Sequence, residues 1–190
     1  MNKKRILTLT AALALAGSTL VSSSVLAADN TSTAEKASTA KKMPTEKYLA
    51  AFPQTIRGTW YNYVGNKLCK TVIGKKEMTI YINGKKDQYF TLHAYVNHNA
   101  VTTNKATLAK TKHWVWAEKT TDHKLDWLRI HGWSDAAGAG MFVNLSKINS
   151  HKVLTTASGA GVWVEGHAYQ TPKLAKKLQK KRYSQFAYQE

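Results

Sequence analysis

Met78-Thr79-Ile80-Tyr81-Ile82, then Asn83-Gly84, then Lys85-Lys86-Asp87-Gln88-Tyr89-Phe90-Thr91-Leu92-His93-Ala94-Tyr95-Val96, is the stretch that decides the fold class. Two runs rich in β-branched and aromatic residues flank the dipeptide that best tolerates positive φ at both central positions of a two-residue turn, which predicts a β-hairpin. Side chains alternate across a strand. In the second run Phe90, Leu92, Ala94 and Val96 therefore share a core-facing side, and Tyr89, Thr91, His93 and Tyr95 share the other.

The same grammar extends outward. Upstream, RGTWYNYV (57–64), Gly65-Asn66 and KLCKTVI (67–73) read as a second hairpin; downstream, residues 113–119, 124–133, 139–146, 151–157 and 162–169 read as further short strands. About nine strands with Gly- and Asn-containing turns predict a mainly β fold, an antiparallel barrel with a sandwich as the alternative. Gly/Ala-rich segments at 132–140 and 158–161 are expected to be tight connections between strands. No internal repeat is visible.

The flanks change character. At 171–182 Thr171 can cap a helix, Pro172 suits its first position, and KLAKKLQKKR follows; Leu174, Ala175 and Leu178 make one narrow apolar face, and Lys173, Lys176, Lys177, Lys180, Lys181 and Arg182 cover the rest. Such a helix either binds polyanions or packs on the sheet with its lysines in water. Residues 45–52, TEKYLAAF, read as a short helix capped by Thr45. Residues 28–42, ADNTSTAEKASTAKK, hold no aromatic or branched aliphatic residue and read as a flexible linker before a single domain over 43–190. The first 27 residues read as a signal peptide: Lys3-Lys4-Arg5, the apolar run 6–16, then Val25-Leu26-Ala27, with cleavage between Ala27 and Ala28. The apolar run is short of the roughly 20 residues a membrane-spanning helix needs, so the mature chain is expected to be secreted and to have no transmembrane segment.

Removing Lys3, Lys4 and Arg5 from the 28 basic residues leaves 25 against 11 acidic, a formal charge of +14 on the mature chain. That excess attracts polyanions: wall polymers, anionic headgroups, acidic glycans or shed nucleic acid, with no specific nucleic-acid motif to favour the last. Cys69 is the only cysteine, so no intramolecular disulfide is available. No H-E-x-x-H, metal-binding Cys spacing or G-x-S-x-G occurs. No catalytic residue, metal ligand or cofactor is expected, with Cys69 or a histidine as the nucleophile or base of a hydrolase in the least favoured reading. The six tryptophans, Trp60, Trp114, Trp116, Trp127, Trp133 and Trp163, either fill a core without disulfides or offer rings to a ligand. Trp114, Trp127 and Trp163, with His93 on its aromatic strand face, are the candidates for the second role.

The stretch FPQTIRGTWYNY, from Phe52, resembles the opening of a set of small secreted proteins of lactic-acid bacteria, many of unknown function. Within it Gly58-Thr59-Trp60 is similar to the G-x-W motif of the calycins, the lipocalin- and avidin-type barrels. The resemblance implies a calycin-like barrel whose first strand starts at this motif, with Trp60 plugging the closed end and the C-terminal helix packed outside. The run Gly58-Thr59-Trp60-Tyr61-Asn62 also resembles the first strand of bacterial avidins, which implies a ligand-facing role for Asn62 alone; Asn66 stands where that family has Ser.

The expectation is thus a secreted, non-catalytic cationic protein associated with the cell wall or with anionic glycans. The alternative is a carrier of a small apolar or sugar-like ligand.

Overall fold

The computed structural model describes residues 48–95, 104–135 and 138–189. The signal peptide with its Ala27/Ala28 junction, the linker 28–42 and the Thr45 cap lie outside the described residues. Nine strands follow one another in a single sheet in chain order: β1 Gly58–Val64, β2 Lys67–Ile73, β3 Glu77–Ile82, β4 Lys85–Leu92, β5 Trp114–Asp122, β6 Leu125–Gly132, β7 Met141–Ile148, β8 His151–Ser158 and β9 Trp163–Ala168. All nine expected strands are present.

The hairpins form where turn residues accept positive φ. Asn83 and Gly84 sit at φ 48° and 80°, and Asn83 locks the neighbouring strand by accepting from Leu68 N through Oδ1 at 3.0 Å. The β5–β6 and β7–β8 turns use less suitable pairs, His123-Lys124 and Asn149-Ser150, with Ser150 at φ 68°. A left-handed conformation costs a residue with a Cβ about 1–2 kcal/mol, partly offset in glycine by its chain entropy. Ser150→Gly is therefore expected to stabilise the protein by about 0.5–1 kcal/mol, read from urea unfolding; a neutral or destabilising result would mean that this turn is held by contacts rather than by backbone preference.

Seven neighbour pairs are antiparallel, and one departs from the expected all-antiparallel order. β4 and β5 run parallel over only two residue pairs, Thr91↔Trp114 and Leu92↔Val115. A parallel pairing needs a crossover, and the chain supplies one through α1, Lys105–Thr111, whose cap Asn104 accepts from Thr107 N at 3.1 Å. The strand expected to run on to Val96 ends at Leu92.

One sheet face carries an apolar cluster with a member from every strand: Trp60, Ile73, Met78, Leu92, Val115, Leu128, Val143, Leu154 and Ala168. Phe52 and Ile56, from the segment before β1, complete it. No helix is present over 48–52; a 3-10 turn at Gln54–Ile56 follows instead, ending beside Arg57, whose Nε and Nη2 donate to Phe52 O at 2.9 and 2.7 Å. Trp60 is 1% exposed and donates from Nε1 to Ile56 O at 2.8 Å.

The opposite face carries a second cluster, Trp127, Phe142, Val153, Ala157, Val162 and Tyr169, covered by the C-terminal segment through Ala175, Tyr183 and Phe186. This two-sided burial explains why Val153, Leu154 and Thr155 of β8 are buried in succession rather than in alternation. α2 spans Pro172–Leu178, with Thr171 Oγ1 accepting from Leu174 N at 3.2 Å as expected. It stops short of Arg182, so Lys180, Lys181 and Arg182 follow the helix rather than lie on it. The two ends of the sheet are joined by one bridge, Tyr61↔Tyr169, with reciprocal backbone hydrogen bonds of 2.7 and 2.8 Å. β1 and β9 form no ladder, so the sheet is not closed into a barrel.

Candidate functional site

Three regions hold the expected site residues. The first is the basic segment. Lys173, Lys176, Lys177, Lys180, Lys181 and Arg182 are all exposed, while Ala175 is buried and Leu174 and Leu178 pack into the second cluster. Two of the cations lie against rings: Lys176 Nζ is 4.7 Å from the centre of Tyr63, and the Arg182 guanidinium 4.9 Å from that of Tyr188. Such contacts orient a cation without neutralising it. Among the described residues none of the six makes an ion pair with a carboxylate.

The second region is a small cavity on the face of the first cluster, with about 20 Å³ of space open to the centre of a water-sized sphere, room for about one water. Ile73, Met78, Ile80, Met141, Val143 and Leu154 make it apolar, and Asn62, Thr71 and Thr156 bring polar side chains. Asn62 reaches it because it stands two positions after Trp60, on the same side of β1. Gly166 faces Asn62 across this space, where a Cβ would make an ordinary contact with Asn62 Nδ2 at 3.8 Å. Strands from both ends of the sheet, β1–β3 and β7–β9, thus line one space.

The third region was only partly legible. His93 and Trp114 do come together, stacked with centroids 3.9 Å apart, and Trp133 closes on both edge-on at 5.7 and 5.4 Å. Two residues along β5, Trp116 stacks on His131 at 3.9 Å and meets Tyr48 and Tyr95. The period of two placed Trp114 and Trp116 on one side; the parallel β4–β5 pairing that brings His93 to them had no local signal. His93 Nε2 is buried with no hydrogen-bond partner among the described residues, and burial, then Lys76, holds its pKa below the ordinary value.

The remaining candidates are dispersed. Trp127 is 4% exposed and packs edge-on to Phe142 and Phe186, away from the cavity. Trp163 is 37% exposed and lies over the Gly159–Gly161 turn, where a Cβ at either glycine would meet its ring at 2.8 or 2.6 Å. Cys69 is buried, and desolvation, reinforced by Asp87, pushes its thiol pKa up, the opposite of what a thiolate nucleophile needs. Glu165 and His167 stand two positions apart on β9 and share no partner: the register shift after Thr156 leaves Glu165 without a strand partner, and it accepts from Ser158 Oγ. His167 instead binds Thr155 and Tyr188.

No helix among the described residues is long and apolar enough to cross a membrane. No protein-family description matches the chain, and no curated protein and no solved structure matches it.

Proposed function

We propose that this chain is an exported, non-catalytic protein that holds anionic wall polymers or anionic glycans on the basic surface of Lys173, Lys176, Lys177, Lys180, Lys181 and Arg182. One observation carries the reading: the apolar stripe of α2 is already used in packing on the sheet, while all six cations face solvent. A helix whose apolar face is occupied has nothing to insert into a bilayer, so its contribution to binding is electrostatic. The formal charge of +14 on the mature chain, 25 basic against 11 acidic residues once Lys3, Lys4 and Arg5 are removed, adds a long-range attraction to polyanions.

The scaffold is read as calycin-like, a barrel left open between β1 and β9 except for the single Tyr61–Tyr169 bridge. In its support, every strand sends a residue to the first cluster and strands from both ends of the sheet line one cavity. The resemblance of the opening FPQTIRGTWY to secreted proteins of lactic-acid bacteria agrees with the export reading.

The test is retention of the purified mature protein on washed Gram-positive cell walls across rising salt, beside a variant with the six cations replaced by glutamine. Wild type is expected to bind at low salt and to elute as salt rises, because screening and counterion release weaken polyanion binding steeply. The variant is expected to stay in solution. Equal behaviour of the two proteins would refute the assignment to this surface. A second reading, carriage of a small apolar ligand with a polar end near Asn62, requires this cavity to widen on binding, since it now has room for about one water; a mass increment on the native protein from culture medium, lost in an Asn62→Leu variant, would support it.

A further inference from the structure

We infer that His167 is an acid-sensitive latch that fastens the C-terminal segment 183–188 over the apolar outer face of the sheet. The imidazole is the one titratable group joining β9, β8 and this segment. Nδ1 lies 2.9 Å from Thr155 Oγ1 and Nε2 lies 2.8 Å from the Tyr188 hydroxyl. Its ring also meets Tyr183 edge-on at 4.8 Å and Phe186 at 5.4 Å.

One tautomer completes the bonding of Tyr188 with its own proton as well as its oxygen. The Tyr188 hydroxyl oxygen accepts from the backbone N–H of Tyr183 at 2.8 Å, so its own proton is free to be donated to His167 Nε2. Nε2 is then an acceptor, and Nδ1–H donates to Thr155 Oγ1. This arrangement requires the neutral imidazole.

Protonation at Nε2 turns that acceptor into a donor facing a hydroxyl proton. The Tyr188 O–H must then swing away in a part-buried site, and among the described residues no carboxylate is in contact with the new cation. The titratable and charged groups on the elements around it are Tyr183 and Tyr188 of the C-terminal segment, Arg182 just before it and Tyr169 just past β9, with Glu165 on β9, which is engaged with Ser158, and the exposed His151 and Lys152 at the start of β8. Thr155 on β8 is uncharged. Burial accordingly lowers the His167 pKa to about 4.

Release has a defined extent. The segment is fastened by the Tyr188 hydroxyl, by Val164 N donating to Ala187 O at 2.8 Å, by the Tyr169–Tyr183 hydroxyl contact at 3.0 Å and by burial of Phe186. Letting go uncovers Trp127, Phe142 and Val153 and frees Arg182 from the Tyr188 ring. The sheet ladders and the first cluster are untouched.

The linkage has a fixed sign. A histidine whose pKa falls on folding stabilises the closed form fully above the free value of 6.5, and this is lost as pH falls from 6.5 toward about 4. In that window the opening equilibrium of the segment is expected to rise by about tenfold per pH unit.

The experiment is hydrogen exchange by mass spectrometry on the full mature chain from pH 7 to pH 4, corrected for the intrinsic pH dependence of exchange. It is accompanied by NMR titration of the His167 ring. Protection over 183–188 is expected to fall with the stated slope while β5 and β6 stay protected, and the ring is expected to titrate near pH 4. His167→Gln, which cannot titrate, is expected to give a flat profile. Tyr188→Phe, which leaves the histidine in place, is expected to open the segment already at neutral pH. The latch is overturned if 183–188 stays closed down to pH 4 in wild type, if it opens equally in His167→Gln, or if sheet and segment lose protection together.

Discussion

Trp60→Ala is expected to lower the free energy of unfolding by about 3–5 kcal/mol, the range for deleting a large buried aromatic. The indole is 1% exposed and belongs to the cluster that all nine strands share, so its removal leaves a hole touching several of them rather than a local gap. The surroundings have little freedom to collapse into that hole. Phe52 and Ile56 are themselves buried, and Arg57 pins the turn between them through its two bonds to Phe52 O. Trp60→Phe separates the two contributions: it keeps most of the ring volume and loses the Nε1 bond to Ile56 O, and is expected to cost about 1–2 kcal/mol. Chemical denaturation followed by far-UV circular dichroism measures both. A loss below about 1.5 kcal/mol for the alanine variant would mean that Trp60 is not the plug of this cluster and that the G-x-W resemblance is local coincidence.

Strand positions were legible because alternation and turn chemistry are local signals. Asn83-Gly84 announced its hairpin, and Leu92 between Thr91 and His93 announced its buried face. The β4–β5 pairing was not legible, since it joins Thr91 to Trp114 across a connection with no local reason to cross over in parallel. α1 escaped notice for a different reason. Its cap Asn104 and the run KATLAKT are ordinary helix signals, but a seven-residue helix gives too few turns for a periodic pattern to stand out.

The site residues divide in the same way. Exposure of the cations at 173–182 follows from their density around a narrow apolar stripe. Asn62 reaches the cavity by its spacing from Trp60. The partnership of His167 with Tyr188 could not be read, because it depends on the chain after α2 turning back across the sheet and on a register shift that sends Glu165 to Ser158. Trp127 illustrates the ambiguity of aromatic residues in strands: the same ring would suit a ligand platform, and here it serves the packing of Phe142 and Phe186.

Glu118 sits where a strand pattern predicts only an outward residue, yet its side chain is 7% exposed and its carboxylate is 3.4 Å from His131 Nε2 and 3.6 Å from Arg129 Nη1. Register supplies the reason: Glu118 and Arg129 are direct partners in the β5–β6 ladder, and His131 stands two residues further along β6 on the same side. Burial, then Arg129, holds the His131 pKa below the ordinary value, so at neutral pH the ring is uncharged and donates from Nε2 to the carboxylate. Stacking of that ring on Trp116, at 8° between planes, fixes it for the bond. Glu118→Ala strands a buried imidazole N–H, while Arg129, 30% exposed, keeps its bonds to Ala139 O and Gly138 O, and the expected cost is about 2–3 kcal/mol, the penalty of a buried donor left without its charged acceptor. Glu118→Gln keeps an oxygen for His131 and loses only the charge, with an expected cost of about 1–2 kcal/mol. Because Glu118 is a group that raises the His131 pKa, both variants are also expected to lower it further, seen as an acid-shifted imidazole titration by NMR. A Glu118→Ala protein within about 1 kcal/mol of wild type would instead class the cluster with exposed ion pairs, whose net worth is small, and would leave the ring stack as what holds β5 to β6 on this side.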